Sequence, residues 1–132
     1  MNAGPEVTAE VARVVTESDT ANQWGDVFPP AASTPFVLGL AEIACHGAVA
    51  KSLDAGQITV GTAAHIEHRR PSRVGATLVA RAALTSRAGA RLEFVVDVFD
   101  GDCCVAHVVQ ARAVVERDKI LRRLNQSGPD QG

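Results

Sequence analysis

The stretch S-T-P-F-V-L-G-L-A-E-I-A-C-H-G-A-V-A-K-S-L (33–53) decides how the rest of the chain is read. A Thr oxygen can cap free N–H groups and Pro at the first helical position loses no hydrogen bond, so Thr34-Pro35 predicts a helix start. No Pro interrupts the run from Phe36 to Leu53, and Gly56 supplies a C-terminal stop. The run is apolar or small on nearly every face, with Glu42, Cys45 and His46 as the exceptions. A surface helix shows a polar side; this one is expected to be buried all round.

Outward from that helix the period changes to two. Towards the N-terminus, 6–17 roughly alternates, with Val7, Ala9, Val11 and Val15 on one side and Arg13 interrupting them, which predicts a half-buried strand. Residues 18–33 collect Gly, Pro, Asn, Asp and Ser around the only Trp and read as a loop with some packed side chains. Towards the C-terminus, 57–68 places Ile58, Val60, Thr62, Ala64, Ile66 and His68 on one face. In 74–86 the inward set is Val74, Ala76, Leu78, Ala80, Ala82 and Leu84, and in 91–100 it is Leu92, Phe94, Val96 and Val98. Asp100-Gly101 marks a tight hairpin into a Val- and Ala-rich strand over 103–116, and 125–132 reads as a disordered tail.

Strand, loop, helix and four strands joined by short turns predict an α+β domain over 1–124: an antiparallel five-stranded sheet wrapped around one long central helix. That architecture is the hotdog fold. A cystatin-like sheet is the competing topology, but its helix is usually amphipathic.

Composition adds a constraint. Of the 132 residues, 22 are Ala and 18 are Val while Phe, Trp and Tyr together number five, so the core is built from small side chains and is thin. Burial contributes roughly 25 cal/mol per Å² of apolar surface, so such a subunit gains by covering more of itself with a second copy. A homodimer or a tetramer is expected. A net charge of −2 gives no basic field for a nucleic-acid backbone. No apolar run approaches the roughly 20 residues that span a bilayer, and the N-terminus lacks the basic region of a signal peptide; a cytoplasmic protein is expected. Cys45, Cys103 and Cys104 form neither an even disulfide set nor a metal spacing, and no metal is expected. Arg outnumbers Lys 11 to 2, which with the Ala and Val content suits a GC-rich bacterial genome.

Glu42 is the main chemical anomaly, because a carboxylate in an apolar helix loses hydration and needs a partner or a raised pKa. His46, one turn on, offers a structural pair; the sharper reading makes Glu42 a base, nucleophile or water-orienting group in a cleft. His68 points inward with the apolar face of its strand, whereas His65 and Glu67 look solvated. Thr34 at a helix start stands where N–H groups favour developing negative charge. Eight helical residues separate Thr34 from Glu42 by about 12 Å along the axis, so both reach one carbonyl only if the helix begins late or two subunits share the site. Arg69, Arg70 and Arg73 form either a solvated turn or a clamp for phosphates, for which Arg forks are suited. Phe36, with Trp24, Phe28 and Phe94, is a candidate for the pocket wall.

Two segments then stand out together, S-T-P-F-V-L-G-L-A-E-I-A (33–44) and V-G-T-A-A-H-I-E-H (60–68). They resemble the fluoroacetyl-CoA thioesterase type of hotdog protein, whose pattern has A-T followed by seven residues and Glu on the helix, then G-T followed by five residues and His on the next strand. The resemblance extends from about Val7 to Leu124 and includes Gly75. It implies that Thr34, Glu42 and His68 are the active-site residues and that the backbone of Gly61 contacts substrate. It also implies a homodimer with sites at the subunit interface, hydrolysing an acyl-CoA thioester without metal. The chain departs from the family at Arg69-Arg70, where small or hydrophobic residues are usual. It departs again on the last strand, where of a G-x-H-E-R run only Arg112 remains.

The expected function is therefore hydrolysis of an acyl-CoA or acyl-carrier-protein thioester, with Thr34, Glu42 and His68 catalytic and Gly61, Arg69, Arg70, Arg73 and Phe36 binding substrate. No cofactor is expected beyond the coenzyme A or phosphopantetheine carried by the substrate. Two rivals stand beside it: a thioesterase built on Asp19, since S-D-T-A-N loosely resembles the aspartate loop of hydroxybenzoyl-CoA-type enzymes, and a catalytically silent dimer that binds acyl-CoA or another hydrophobic ligand.

Overall fold

In the computed structural model, which describes residues 6–126, the sheet order is β1-β3-β4-β5-β2, all neighbours antiparallel. The strands are β1 (Thr8–Val14), β2 (Gln57–His68), β3 (Thr77–Ala88), β4 (Arg91–Asp100) and β5 (Cys103–Glu116). Helix α1 (Thr34–Val49) lies against one face of this sheet, giving the expected hotdog arrangement. Gly89 and Gly101 take φ +62° in the hairpin turns, a conformation costly for other residues.

The inward faces of β3 and β4 match the two-residue period: Leu78, Ala80, Ala82, Leu92, Phe94, Val96 and Val98 are all within 2% of complete burial. Register sets small against large, with Ala82 opposite Val96 and Ala80 opposite Val98, while Ala41 and Ala44 let α1 approach closely. Irregularities at Leu84/Ser86 and Val98/Phe99 bend the strands, the local effect of a bulge on a twisted sheet.

Four expectations change. Ser33, not Thr34, is the N-cap, its Oγ accepting from the Phe36 N–H at 3.2 Å. This leaves the Thr34 hydroxyl free for other partners. Burial of α1 is one-sided within the chain: Val37, Leu40, Ala41, Ala44, Cys45 and Val49 are buried, whereas Thr34, Ile43 and Gly47 are exposed and Leu38, Glu42 and His46 are half-buried along the same face. In β2 a bulge between Gly61 and Ala63 resets the alternation, so Thr59 and Gly61 face the helix before it and Ile66 and His68 after it. Finally, a second helix, α2 (Arg117–Gln126), follows β5; the tail expected over 125–132 therefore begins inside it, and 127–132 lie outside the described residues.

Candidate active site

Two polar clusters sit on the open face of α1. The first joins the start of the helix to the end of β2, where Thr34 Oγ1 lies 2.8 Å from His68 Nδ1. With Nδ1 engaged, the other ring nitrogen, Nε2, is buried and has no hydrogen-bond partner. Burial holds the His68 pKa below its usual value of 6.5, an effect only partly opposed by the Arg70 backbone. His68 is therefore a neutral imidazole near pH 7 with a reactive nitrogen not yet used.

A cavity of about 250 Å³ opens beside it, lined by Ser33, Thr34, His68, Arg69, Arg70 and Pro29 among others. The backbone N–H groups of Arg69 and Arg70 both donate to the Val105 carbonyl, at 2.7 and 3.2 Å, which fixes this turn. The Arg69 guanidinium is held at 2.7 Å by Glu67, whose carboxyl it keeps below the usual range. Arg70 has no side-chain partner among the described residues and is free to meet an anion. Arg73 does not join the cavity lining; its Nη1 donates to the Val74 carbonyl at 3.3 Å.

The second cluster surrounds Glu42. Its partner is Arg112 rather than His46: Arg112 Nη1 stands 3.6 Å from Glu42 Oε1, with the arginine side chain 7% and the carboxylate 44% exposed. Arg112 donates through Nε to Thr59 Oγ1 (2.9 Å), through Nη2 to the Thr59 carbonyl (2.9 Å) and through Nη1 to Gln110 Oε1 (2.8 Å). His46 Nδ1 is 2.8 Å from the same Thr59 hydroxyl. The geometry explains Gly61: a Cβ there would lie 3.2 Å from Arg112 Nη1 and 3.5 Å from Glu42 Oε2.

The remaining candidates separate cleanly. Phe36 is half-buried and packs on the core, Phe94 is fully buried, and Trp24 and Phe28 are 72% and 50% exposed beside the cavity-lining loop. Asp19 is engaged in a turn, accepting from the Thr16 N–H at 2.9 Å and the Thr16 hydroxyl at 2.8 Å. Burial pushes the Cys45 thiol up to about 12, so it is an inert core group. Among the described residues no three His, Cys, Asp or Glu side chains are grouped as a metal ion would require. No motif marks Thr59 or Gln110; for Gln110 and Arg112 the signal in the sequence is two polar residues among the Val and Ala of β5.

A family model described as the fluoroacetyl-CoA-specific thioesterase matches residues 15–118. The chain belongs to this thioesterase family. The fluoroacetyl-CoA thioesterase of Streptantibioticus cattleyicolor is 33% identical over 102 residues, which are 77% of this chain and 73% of that protein. A solved structure of a fluoroacetyl-CoA thioesterase matches with a TM-score of 0.87 at 27% identity, covering 98% of this chain and 100% of the other. A hot-dog-like protein from Thermanaerovibrio acidaminovorans, at 20% identity and a TM-score of 0.81 over 93% of each chain, shares the fold. Within the thioesterase family, this chain pairs its helix carboxylate with a buried arginine from the last strand.

Proposed function

We propose that the chain is an acyl-CoA thioesterase whose working site is shared between two subunits. The observation that carries this is the pairing of Thr34 with His68 at 2.8 Å at one end of α1, and of Glu42 with Arg112 across Gly61 further along it. Eight helical residues place the two clusters about 12 Å apart along the axis, too far for one carbonyl to meet both within a chain. A second copy laid on the open face of α1 would bring the Glu42 of one subunit to the Thr34–His68 pair of the other. It would also cover Ile43, which is 48% exposed. The family membership supports the thioester as substrate.

In this arrangement Arg112 fixes the Glu42 carboxylate, which either attacks the thioester carbonyl, expelling the thiolate and leaving an acyl anhydride that water then cleaves, or draws a proton from a water that attacks the carbonyl directly. The Thr34 hydroxyl at the N-terminus of α1 faces the carbonyl oxygen, where the helix end favours developing negative charge. The free Nε2 of His68 supplies or steadies the proton that the departing thiolate needs. Arg70, unpartnered at the cavity mouth, is suited to the phosphates of coenzyme A.

Release of free thiol from a panel of acyl-CoAs is the test, run on wild type, Glu42→Ala and His68→Ala. Hydrolysis by wild type and its loss in both variants is expected; equal rates in all three would remove the assignment. The same panel with acyl-carrier-protein thioesters decides between the two carriers. Saturable binding without turnover would favour a silent ligand-binding dimer.

A further inference from the structure

His46 is the one group of the second cluster able to give or take a proton near neutral pH that the reaction above leaves without a task. It follows Glu42 by four residues on α1, so the two side chains are neighbours on one helix face, with Cβ atoms about 5–6 Å apart. Its Nδ1 is held at 2.8 Å by the Thr59 hydroxyl, which also accepts from Arg112 Nε at 2.9 Å. Arg112 Nη1 in turn faces Glu42 Oε1 at 3.6 Å. One guanidinium and one hydroxyl thus fix the imidazole relative to the carboxylate. The other ring nitrogen, Nε2, has no hydrogen-bond partner among the described residues, and the side chain is half-buried on the open face of α1 rather than sealed in the core.

The other histidines of the chain stand elsewhere. His68 is at the far end of β2, bonded to Thr34. His65 and His107 lie across the sheet from α1, 3.7 Å from Glu67 and 2.7 Å from Asp97. Within one chain, His46 is therefore the imidazole beside Glu42, and this holds whatever second copy covers the open face.

That position matters for one of the two routes open to Glu42. When the carboxylate attacks, a C–O bond forms, the C–S bond breaks, and an acyl anhydride remains on the helix. An acylated carboxyl can no longer draw a proton from water, so the second step needs another base next to it. We infer that His46 is that base, a catalytic residue for release of the acyl group. Its Nε2 takes a proton from a water whose oxygen adds to the acyl carbonyl; the bond from that carbon to the Glu42 oxygen then breaks, and Glu42 departs as a carboxylate facing Arg112. The free acid leaves, and the proton on Nε2 passes to solvent along the open face. This rests on the thioesterase reading and commits it to the route through the anhydride.

His46→Asn is the test, because an Asn amide can keep the bond to Thr59 in the place of Nδ1 while Nε2 is removed. Thiol release is followed from the first milliseconds, on the acyl-CoA of the panel that wild type cleaves fastest. The variant is expected to release one thiol per chain in a rapid burst and then to turn over about a hundredfold more slowly than wild type, the lower end of what a general base contributes. KM should fall with kcat and leave kcat/KM unchanged, since that ratio reports the first step alone. The quenched variant should gain the mass of one acyl group, which Glu42→Ala in the same chain abolishes, and hydroxylamine, which cleaves an anhydride without a base, should restore turnover. A merely structural role for His46 would lower kcat/KM as well and show no burst. That result, or steady-state turnover equal to wild type, would overturn the inference while leaving the thioesterase reading in place; wild type that releases no thiol removes the reading itself. Should His46→Asn melt well below wild type, His46→Gln gives the same readouts, with its amide near the place of Nε2 but no base.

Discussion

The two polar clusters on α1 are built on opposite principles. Around Glu42 the guanidinium is committed: Arg112 is 7% exposed and makes three hydrogen bonds to Thr59 and Gln110 before it faces the carboxylate, and the Gln110 amide nitrogen alone is buried without a partner. Around His68 the ring is tethered at one nitrogen, its other nitrogen has no partner, and the adjacent cavity is edged by a free guanidinium. The first cluster is preorganised, so its geometry should tolerate little change. The second leaves one ring nitrogen without a bond, which is what the proton exchange proposed for His68 requires.

The largest effect that separates them is on turnover and stability together. Glu42→Ala should lower kcat by about a thousandfold, the scale of removing a nucleophile or base, and leave thermal stability close to wild type because the carboxylate is half exposed. Arg112→Ala should instead do both kinds of damage. It strips donors from the Thr59 hydroxyl and carbonyl and from Gln110 at once, and each buried acceptor left unpaired costs about 1–3 kcal/mol. Denaturant titration beside steady-state kinetics checks the contrast; an Arg112→Ala protein as stable as wild type would show that the network is not structural.

The second comparison uses acid. Burial makes the folded chain bind a proton at His68 less readily than the unfolded chain, so the unfolded state holds more protons below the usual value of 6.5. Stability should therefore fall as pH drops through 6.5 towards the lower folded value, and be unaffected by this group above 6.5. His68→Asn should flatten that acid slope in melts taken between pH 7 and 5. The acid limb of kcat/KM in wild type should also lie below 6.5; a limb at or above it would mean that burial does not control this histidine.

Most of the architecture was legible because it is written in local periods. Leu92, Phe94, Val96 and Val98 alternate within one strand, and each is buried. The site was legible only in its motif residues. Which partner Glu42 takes depends on a register between β2 and β5 that opposes Gly61 and Arg112, residues far apart in the chain, and no local pattern encodes it. The bulge at Gly61/Ala63 had the same effect: simple alternation put Gly61 and His68 on opposite faces, and one extra residue returns both to the helix side. Helix α2 is the least legible element because its apolar stripe, Ile120, Leu121 and Leu124, is short and none of its ten residues is buried.

The smallest effect is the sharpest probe of the first cluster. Adding one methyl at Gly61 places it 3.2 Å from Arg112 Nη1, closer than ordinary contact, and 3.5 Å from Glu42 Oε2. A flexible arginine would yield by a few tenths of an ångström at no cost, but Arg112 is pinned by Thr59 and Gln110, so its displacement strains those bonds and carries the carboxylate it faces with it. Gly61→Ala should consequently lower kcat about tenfold, the scale of a small misplacement of a reacting group, while stability changes by about 1 kcal/mol or less because strands tolerate Ala better than Gly. Pairing it with Thr59→Val should restore part of the activity, since freeing Arg112 at Nε lets the guanidinium adjust without dragging the carboxylate. If the double variant is no more active than Gly61→Ala alone, Arg112 is not what holds the carboxylate in place.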